Sequence, residues 1–277
     1  MQRAVYYMII SVLAFAVMNA TVKYLTMFSV YQIVFFRSIG TIAITVPLAL
    51  HKKLDFFGKQ KKFLLLRGVL GVISLTCFFQ SLNYLSIGTA VSLRYLSPIF
   101  AAIFALFFLK EKIKPIQWLL FFIAFVGVLI IKGFGVDVNS LGLLFVSISA
   151  ITLGLIFIVI RKIGNSENSL VIINYFMIMA LLFGGFMSIN NWKTPNANEW
   201  ILLLSLGVFG YFGQLYLTKA FQSYKTSVIA PLKYLEVIFT MLIGLFWFQE
   251  AYNWWTVLGI FLIFLGLSYN LFLNKLK

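Results

Sequence analysis

Ten apolar runs, each about twenty residues long, constrain this chain more than any other feature. They lie close to 4–25, 29–50, 63–85, 87–109, 116–132, 140–161, 169–189, 200–221, 226–248 and 253–273. A bilayer core of about 30 Å is crossed by about 20 helical residues rising 1.5 Å each. Connections such as 84–88 and 222–226 are too short to hold a domain, so consecutive runs must form antiparallel hairpins. Transmembrane barrel strands would be about ten residues long and alternate in polarity; these runs do neither. Composition agrees, with 62% apolar residues, 10% charged and a mean hydropathy of +1.01. A soluble domain uses about 25% charged residues to face water, so a cytosolic enzyme, a secreted module and a disordered chain are excluded. The first run ends at Lys23-Tyr24-Leu25 without a small-residue cleavage pattern, and a second follows at once. It reads as a retained helix and not a signal peptide. The predicted fold is an all-α integral membrane protein of ten transmembrane helices.

The formal net charge is +15. In a soluble protein that excess would suggest nucleic acid. Here most cations stand between the apolar runs, and no nucleic-acid partner is expected. With a cytoplasmic N-terminus, fifteen of the 22 Lys and Arg residues fall inside. They are Arg3, Lys52, Lys53, Lys59, Lys61, Lys62, Lys110, Lys112, Lys114, Arg161, Lys162, Lys219, Lys225, Lys275 and Lys277. Outside stand Lys23, Lys132 and Lys193, the asymmetry that the positive-inside rule requires. The expected location is a bacterial plasma (inner) membrane, multi-pass, lipid-surrounded, with both termini cytoplasmic. Trp118, Trp192, Trp200, Trp247, Trp254 and Trp255 all lie near span ends, as an aromatic belt does. The single Cys77 and single His51 remove an intrachain disulfide and most metal sites.

The chain also repeats itself. At an offset of 139, Leu93-Arg94-Tyr95-Leu96 aligns without a gap on Leu232-Lys233-Tyr234-Leu235. Ile99-Phe100 falls on Ile238-Phe239, Leu106-Phe107 on Leu245-Phe246, Glu111 on Glu250 and Gly127 on Gly266. Shared hydrophobicity explains matched Leu and Phe; it does not explain a cation followed by Tyr-Leu in the same register. Two five-helix units are therefore expected, residues 1–139 and 140–277. Five is odd, so the units enter the membrane in opposite senses. Inverted repeats of this kind are found in many secondary transporters, with the substrate site at the repeat interface near the midplane.

Further residues place the chain beside a known family. They are Phe15-Ala16-Val17-Met18-Asn19-Ala20 with Lys23, Phe35-Phe36-Arg37, Leu66-Arg67-Gly68, Ser97-Pro98, Leu109-Lys110-Glu111-Lys112 and Gln249-Glu250. In order and spacing they resemble the drug/metabolite transporter superfamily, EamA type, over essentially the whole chain. The resemblance implies ten helices in a five-plus-five inverted repeat, and transport of small metabolites such as amino acids, nucleotide-linked compounds or S-adenosylmethionine.

Four cations stand inside predicted spans: Arg37, Arg67, Arg94 and Lys233. Each costs about 2.5–3.5 kcal/mol at a helix centre on insertion scales, so each must face protein, water or substrate. Arg67 lies about one turn inside the end of span three and is expected to snorkel out. Arg37 is too deep for that, and either binds substrate or bonds backbone carbonyls of a broken helix. Arg94 and Lys233 lie about 10–12 Å into their spans from opposite sides, which makes them the best candidate pair. Glu236 follows Lys233 by one helical turn. It either neutralises Lys233, receives a substrate ammonium, or titrates as a proton-coupling site. Pro98 and Pro231 are expected to break spans four and nine beside these cations. Asn19, Tyr95, Tyr234 and Gln214 are further candidates to complete a substrate cavity; Gln80, Asn83 and Tyr216 also stand near it. Gly207, Gly210 and Gly213 read as a packing seam.

No P-loop pattern, no histidine–carboxylate cluster and no carboxylate pair within one span is present. Catalytic residues, metal and cofactor are therefore not expected, and a membrane-bound enzyme is disfavoured. A channel would want rings of repeated charges along a pore; one basic residue per half suits a single occluded site better. The expected function is secondary-active transport of an amino acid or related organic anion or zwitterion by alternating access. S-adenosylmethionine or a nucleotide-type solute is the alternative cargo. Protons are the candidate coupling ion, and the unit is a monomer or a homodimer.

Overall fold

The computed structural model describes residues 1–25, 27–81, 83–85, 90, 93–132, 139–248 and 254–275. Among these residues the regular structure is helical, with no strand. The helices are α1 (Gln2–Tyr24), α2 (Val30–His51), α3 (Lys61–Ser81), α4 (Ser97–Phe108), α5 (Pro115–Lys132), α6 (Ser140–Ile163), α7 (Ser169–Ser188), α8 (Ala197–Ser223), α9 (Leu235–Phe248) and α10 (Trp254–Lys275). Six of them (α1, α2, α3, α6, α7 and α8) are long and apolar enough to cross a bilayer, and α4 and part of α5 are shorter apolar helices. Large side chains such as Phe186, Leu182, Ile201 and Phe246 stand exposed on the outer surface of the bundle. That surface is tolerable only in lipid, and the chain is an all-α multi-pass membrane protein. Gln249-Glu250, Lys277 and the start of span four lie outside the described residues.

Local chemistry sets the helix ends. Side chains of Ser29, Asn139, Asn168 and Asn196 accept from free backbone N–H groups at the starts of α2, α6, α7 and α8. Each such cap is worth about 1 kcal/mol. Asn196 and Glu199 complete a reciprocal capping box. Gly164 ends α6 at φ +56°, a conformation a side chain would resist.

Spans four and nine depart from a single straight helix. Span nine runs as one helical turn (Thr226–Ile229), a 3-10 stretch (Ala230–Tyr234) and then α9. Helix α4 has twelve residues, so it is only about 18 Å long. Pro98 and Pro231 do not sit in helix interiors; each lies in the first turn of the segment that follows the break. A missing N–H costs nothing there, because first-turn donors have no helical partner anyway. Irregular backbone at membrane depth survives only when buried in protein or lining a cavity, and all of Ala230–Tyr234 is buried.

Helix pairings come in matched sets. Helix α1 packs on α8 as α6 packs on α3, α2 on α8 as α7 on α3, and α4 on α6 as α9 on α1. Each of these pairs joins a helix of residues 1–139 to one of residues 140–277, as do α2–α7 and α5–α10, and α5 and α10 pack chiefly on each other. Tyr7, near the start of α1, touches Tyr216 and Lys219 near the end of α8. Arg161, at the end of α6, donates to Gln222 O at that same end of α8. Helix α1 therefore begins where α6 ends, and the two run in opposite senses.

The closest approaches obey the same offset. A Cβ on Gly127 would lie 2.6 Å from Gly259 O, and one on Gly266 would lie 2.8 Å from Leu120 O. Positions 127 and 266 are 139 apart, as are 120 and 259. Likewise a Cβ on Gly68 would strike Met179 Sδ at 2.3 Å, while one on Gly207 would strike Gly40 Cα at 2.4 Å. Thr41 Oγ1 donates to Gly207 O at 3.0 Å and Ser11 Oγ to Gly213 O at 2.8 Å, so the glycine stripe of α8 is the packing seam its spacing suggests.

Candidate functional site

A buried cavity lies where the long helices meet the two broken spans. Water-molecule centres have about 60 Å³ of it, and one water needs about 10–15 Å³. All four intramembrane cations line it, together with Glu236, Asn19 and Gln214. Arg37 is carried on α2, Arg67 on α3 and Arg94 just before α4, while Lys233 rides on the 3-10 stretch and Glu236 on the first turn of α9. Residues from both halves of the chain thus share one space.

Glu236 is the only acid among the described lining residues, and both its oxygens are engaged. Lys233 Nζ donates to Oε2, and Asn19 Nδ2 donates to Oε1 at 2.9 Å. Lys233 and Glu236 are 8% and 6% exposed, so this is a buried ion pair. Of the three roles open to Glu236 in the sequence, the structure displays the neutralising one.

Arg67 departs from expectation. Its position, about 9 Å along α3 from Lys61, suggested a side chain reaching out to the membrane surface. Instead the residue is 2% exposed and turns inward. Nη2 donates to Gln214 Oε1 at 3.1 Å, and the guanidinium carbon lies 4.5 Å from the Phe176 ring centre. Gly71, one turn further on, makes the room: a Cβ there would stand 2.5 Å from Arg67 Nη1. Gly210 does the same for Arg37, whose Cγ and Nε would be 3.3 Å from an added Cβ. An arginine followed four residues later by glycine in α3 is the sequence signal for the inward turn.

Aromatic faces hold the cations. Arg94 lies 4.0 Å over Phe78, Lys233 4.8 Å and Arg37 6.0 Å over Phe15. A ring quadrupole attracts a cation by about 0.5–2 kcal/mol depending on desolvation, and it leaves the N–H edges free. Arg37 Nε, Arg67 Nε and Nη1, and Arg94 Nε are buried with no hydrogen-bond partner among the described residues.

The remaining candidates are placed differently. Tyr95 and Tyr234 are buried with their rings 6.0 Å apart, and neither lines the cavity. Gln80 donates to Tyr31 OH and accepts from Asn83 away from the cavity, and Tyr216 packs on Tyr7 and Phe212. Among the described residues no three His, Cys, Asp or Glu side chains gather as a metal site.

Comparison with known proteins identifies the family. The chain is 30% identical over 253 residues to the pseudopaline exporter CntI of Pseudomonas aeruginosa, covering 90% of this chain and 89% of that one. It is 28% identical to human solute carrier family 35 member G1, covering 92% of this chain and 74% of that protein. With the S-adenosylmethionine uptake transporter of Rickettsia prowazekii the identity is 26%, over 92% and 87%. A crystal structure at 14% identity superposes with a TM-score of 0.86 over 98% of both chains, a likeness of fold alone. The EamA-like transporter family matches at residues 2–133 and again at 140–272. These relatives are transporters and not enzymes, and this chain belongs to the EamA-like transporter family.

Proposed function

We propose that the protein is a secondary-active transporter for a small metabolite bearing an anionic group, an amino acid or related organic anion or zwitterion. The observation that carries this reading is the charge of the cavity: four cations face one carboxylate, which Lys233 and Asn19 already occupy. An uncompensated charge inside the membrane is expensive and marks a substrate or ion path. Arg37, Arg94 and Lys233 are the proposed donors to the substrate, while Asn19 holds the Glu236 carboxylate beside Lys233 and Gln214 holds Arg67. Units 1–139 and 140–277 both contribute to the cavity, and alternating access about it is the proposed mode of transport.

S-adenosylmethionine is a weaker fit as cargo. It carries a sulfonium and an ammonium group, and only Glu236 could meet either. A plasma-membrane location with both termini cytoplasmic completes the proposal, on the strength of the positive-inside rule.

Uptake of a labelled metabolite panel into proteoliposomes tests it. Arg94→Ala is expected to insert and fold normally yet lose transport; Lys233→Ala is expected to lose transport as well, with a loss of stability because it leaves Glu236 without its cation. Normal rates in both variants would sink the assignment of this cavity.

A further inference from the structure

We infer that the cavity is built for a substrate carrying at least two anionic groups, and that Arg67 is one of the residues that hold it. The inference rests on the proposed transport of an anionic solute and makes its chemistry specific.

Charge bookkeeping comes first. Glu236 is shared between Lys233 and Asn19, so the lysine is neutralised within the protein. Arg37, Arg67 and Arg94 then stand with no carboxylate within 4 Å among the described residues. Water entering the cavity could satisfy their donors but could not cancel three positive charges at membrane depth. Geometry comes second. The three guanidiniums approach from different walls, Arg94 against Phe78 of α3, Arg67 against Phe176 of α7 and Arg37 toward Phe15 of α1. A carboxylate has two oxygens and pairs best with one guanidinium fork at a time. A single anionic group therefore leaves at least one arginine unanswered. The four unpartnered donors, on Arg37, Arg67 and Arg94, are spread over all three.

Arg67 is built into the site and not into the fold's exterior. Gly71 removes the Cβ that would collide with it, and Gln214 holds one of its nitrogens while Nε and Nη1 stay open. Arg67 lines the cavity, so those open donors can reach an anionic oxygen that enters it.

A carboxylate ladder tests the inference on the purified, full-length protein: butyrate, glutarate and propane-1,2,3-tricarboxylate, followed by titration calorimetry. Glutarate is expected to bind with one molecule per chain and roughly tenfold or more tighter than butyrate, the gain of one further charge-assisted contact. Arg67→Gln should weaken glutarate by about tenfold and leave butyrate within about threefold, and Arg67→Lys should recover part of the loss. Should Arg67→Gln fail to fold, Arg67→Lys is expected by itself to weaken glutarate several-fold more than butyrate. Butyrate binding as tightly as glutarate, or two butyrates per chain, would overturn the inference and leave anion transport standing. Failure of all three anions, with a neutral or cationic metabolite bound instead, would overturn both.

Discussion

Lys233 and Glu236 show how one residue's meaning depends on its neighbours. Three apart in sequence, they form a buried pair backed by Asn19. Removing one partner of such a pair leaves an unanswered charge and costs about 3–5 kcal/mol, while removing both is often close to neutral. Glu236→Gln is therefore expected to lower the melting temperature of the purified protein clearly. The double change Lys233→Met with Glu236→Gln should recover most of that loss while remaining inactive in transport. If the double variant is no more stable than Glu236→Gln, the pair does not act as a unit. Arg67 makes the complementary point: its depth alone suggested a route to the surface, and only Gly71, Phe176 and Gln214 turn it inward.

Elements of the same type can tolerate the same substitution differently. Gly207 faces the backbone of Gly40, which cannot give way, whereas Gly68 faces the flexible end of Met179. Gly207→Ala must push α2 and α8 apart and should cost about 1–3 kcal/mol as overpacking. Gly68→Ala should cost clearly less, as thermal melts of the two variants will show. The broken spans carry a second element-scale prediction. Glu111, beyond the end of α4, accepts from Thr226 N at 2.9 Å, Ser227 N at 3.0 Å and Ser227 Oγ at 2.7 Å. This carboxylate ties the first half to the start of span nine at the cation-rich end. Glu111→Ala should loosen that end. In a Cys77→Ala background, maleimide labelling of Leu217→Cys, a cavity position near the end of α8, is expected to accelerate several-fold. An unchanged labelling rate would show that the contact does not hold the end closed.

At the scale of the whole molecule, α1 pairs with α8 as α6 does with α3, α1 and α6 run in opposite senses, and residues from both halves of the chain line one cavity. Orientation is a separate matter, decided by charge in the connections and not by packing. Reporter fusions at each terminus are expected to report a cytoplasmic location for both. An external location for either would reverse the proposed topology.

The sequence alone determined the class, the approximate spans and the register of the repeat. Each of these is written along the chain: a bilayer demands about twenty apolar residues per crossing, and a repeat shows itself in aligned residues such as Arg94 and Lys233. It also marked Arg37, Arg94, Lys233, Glu236, Asn19 and Gln214, because polar groups are costly in lipid and stand out there. Tyr95 and Tyr234 shared that neighbourhood in sequence, yet their rings pack on each other outside the cavity. The breaks were legible as prolines, but their place was not; backbone exits the helix before Pro98 and Pro231, where the lost hydrogen bond matters least. Only the tertiary structure decided which side chains converge. Convergence depends on the rotation of each helix about its axis and on the close glycine contacts that fix it. Such contacts join residues more than a hundred positions apart, as Gly40 and Gly207 do, and no local pattern records them.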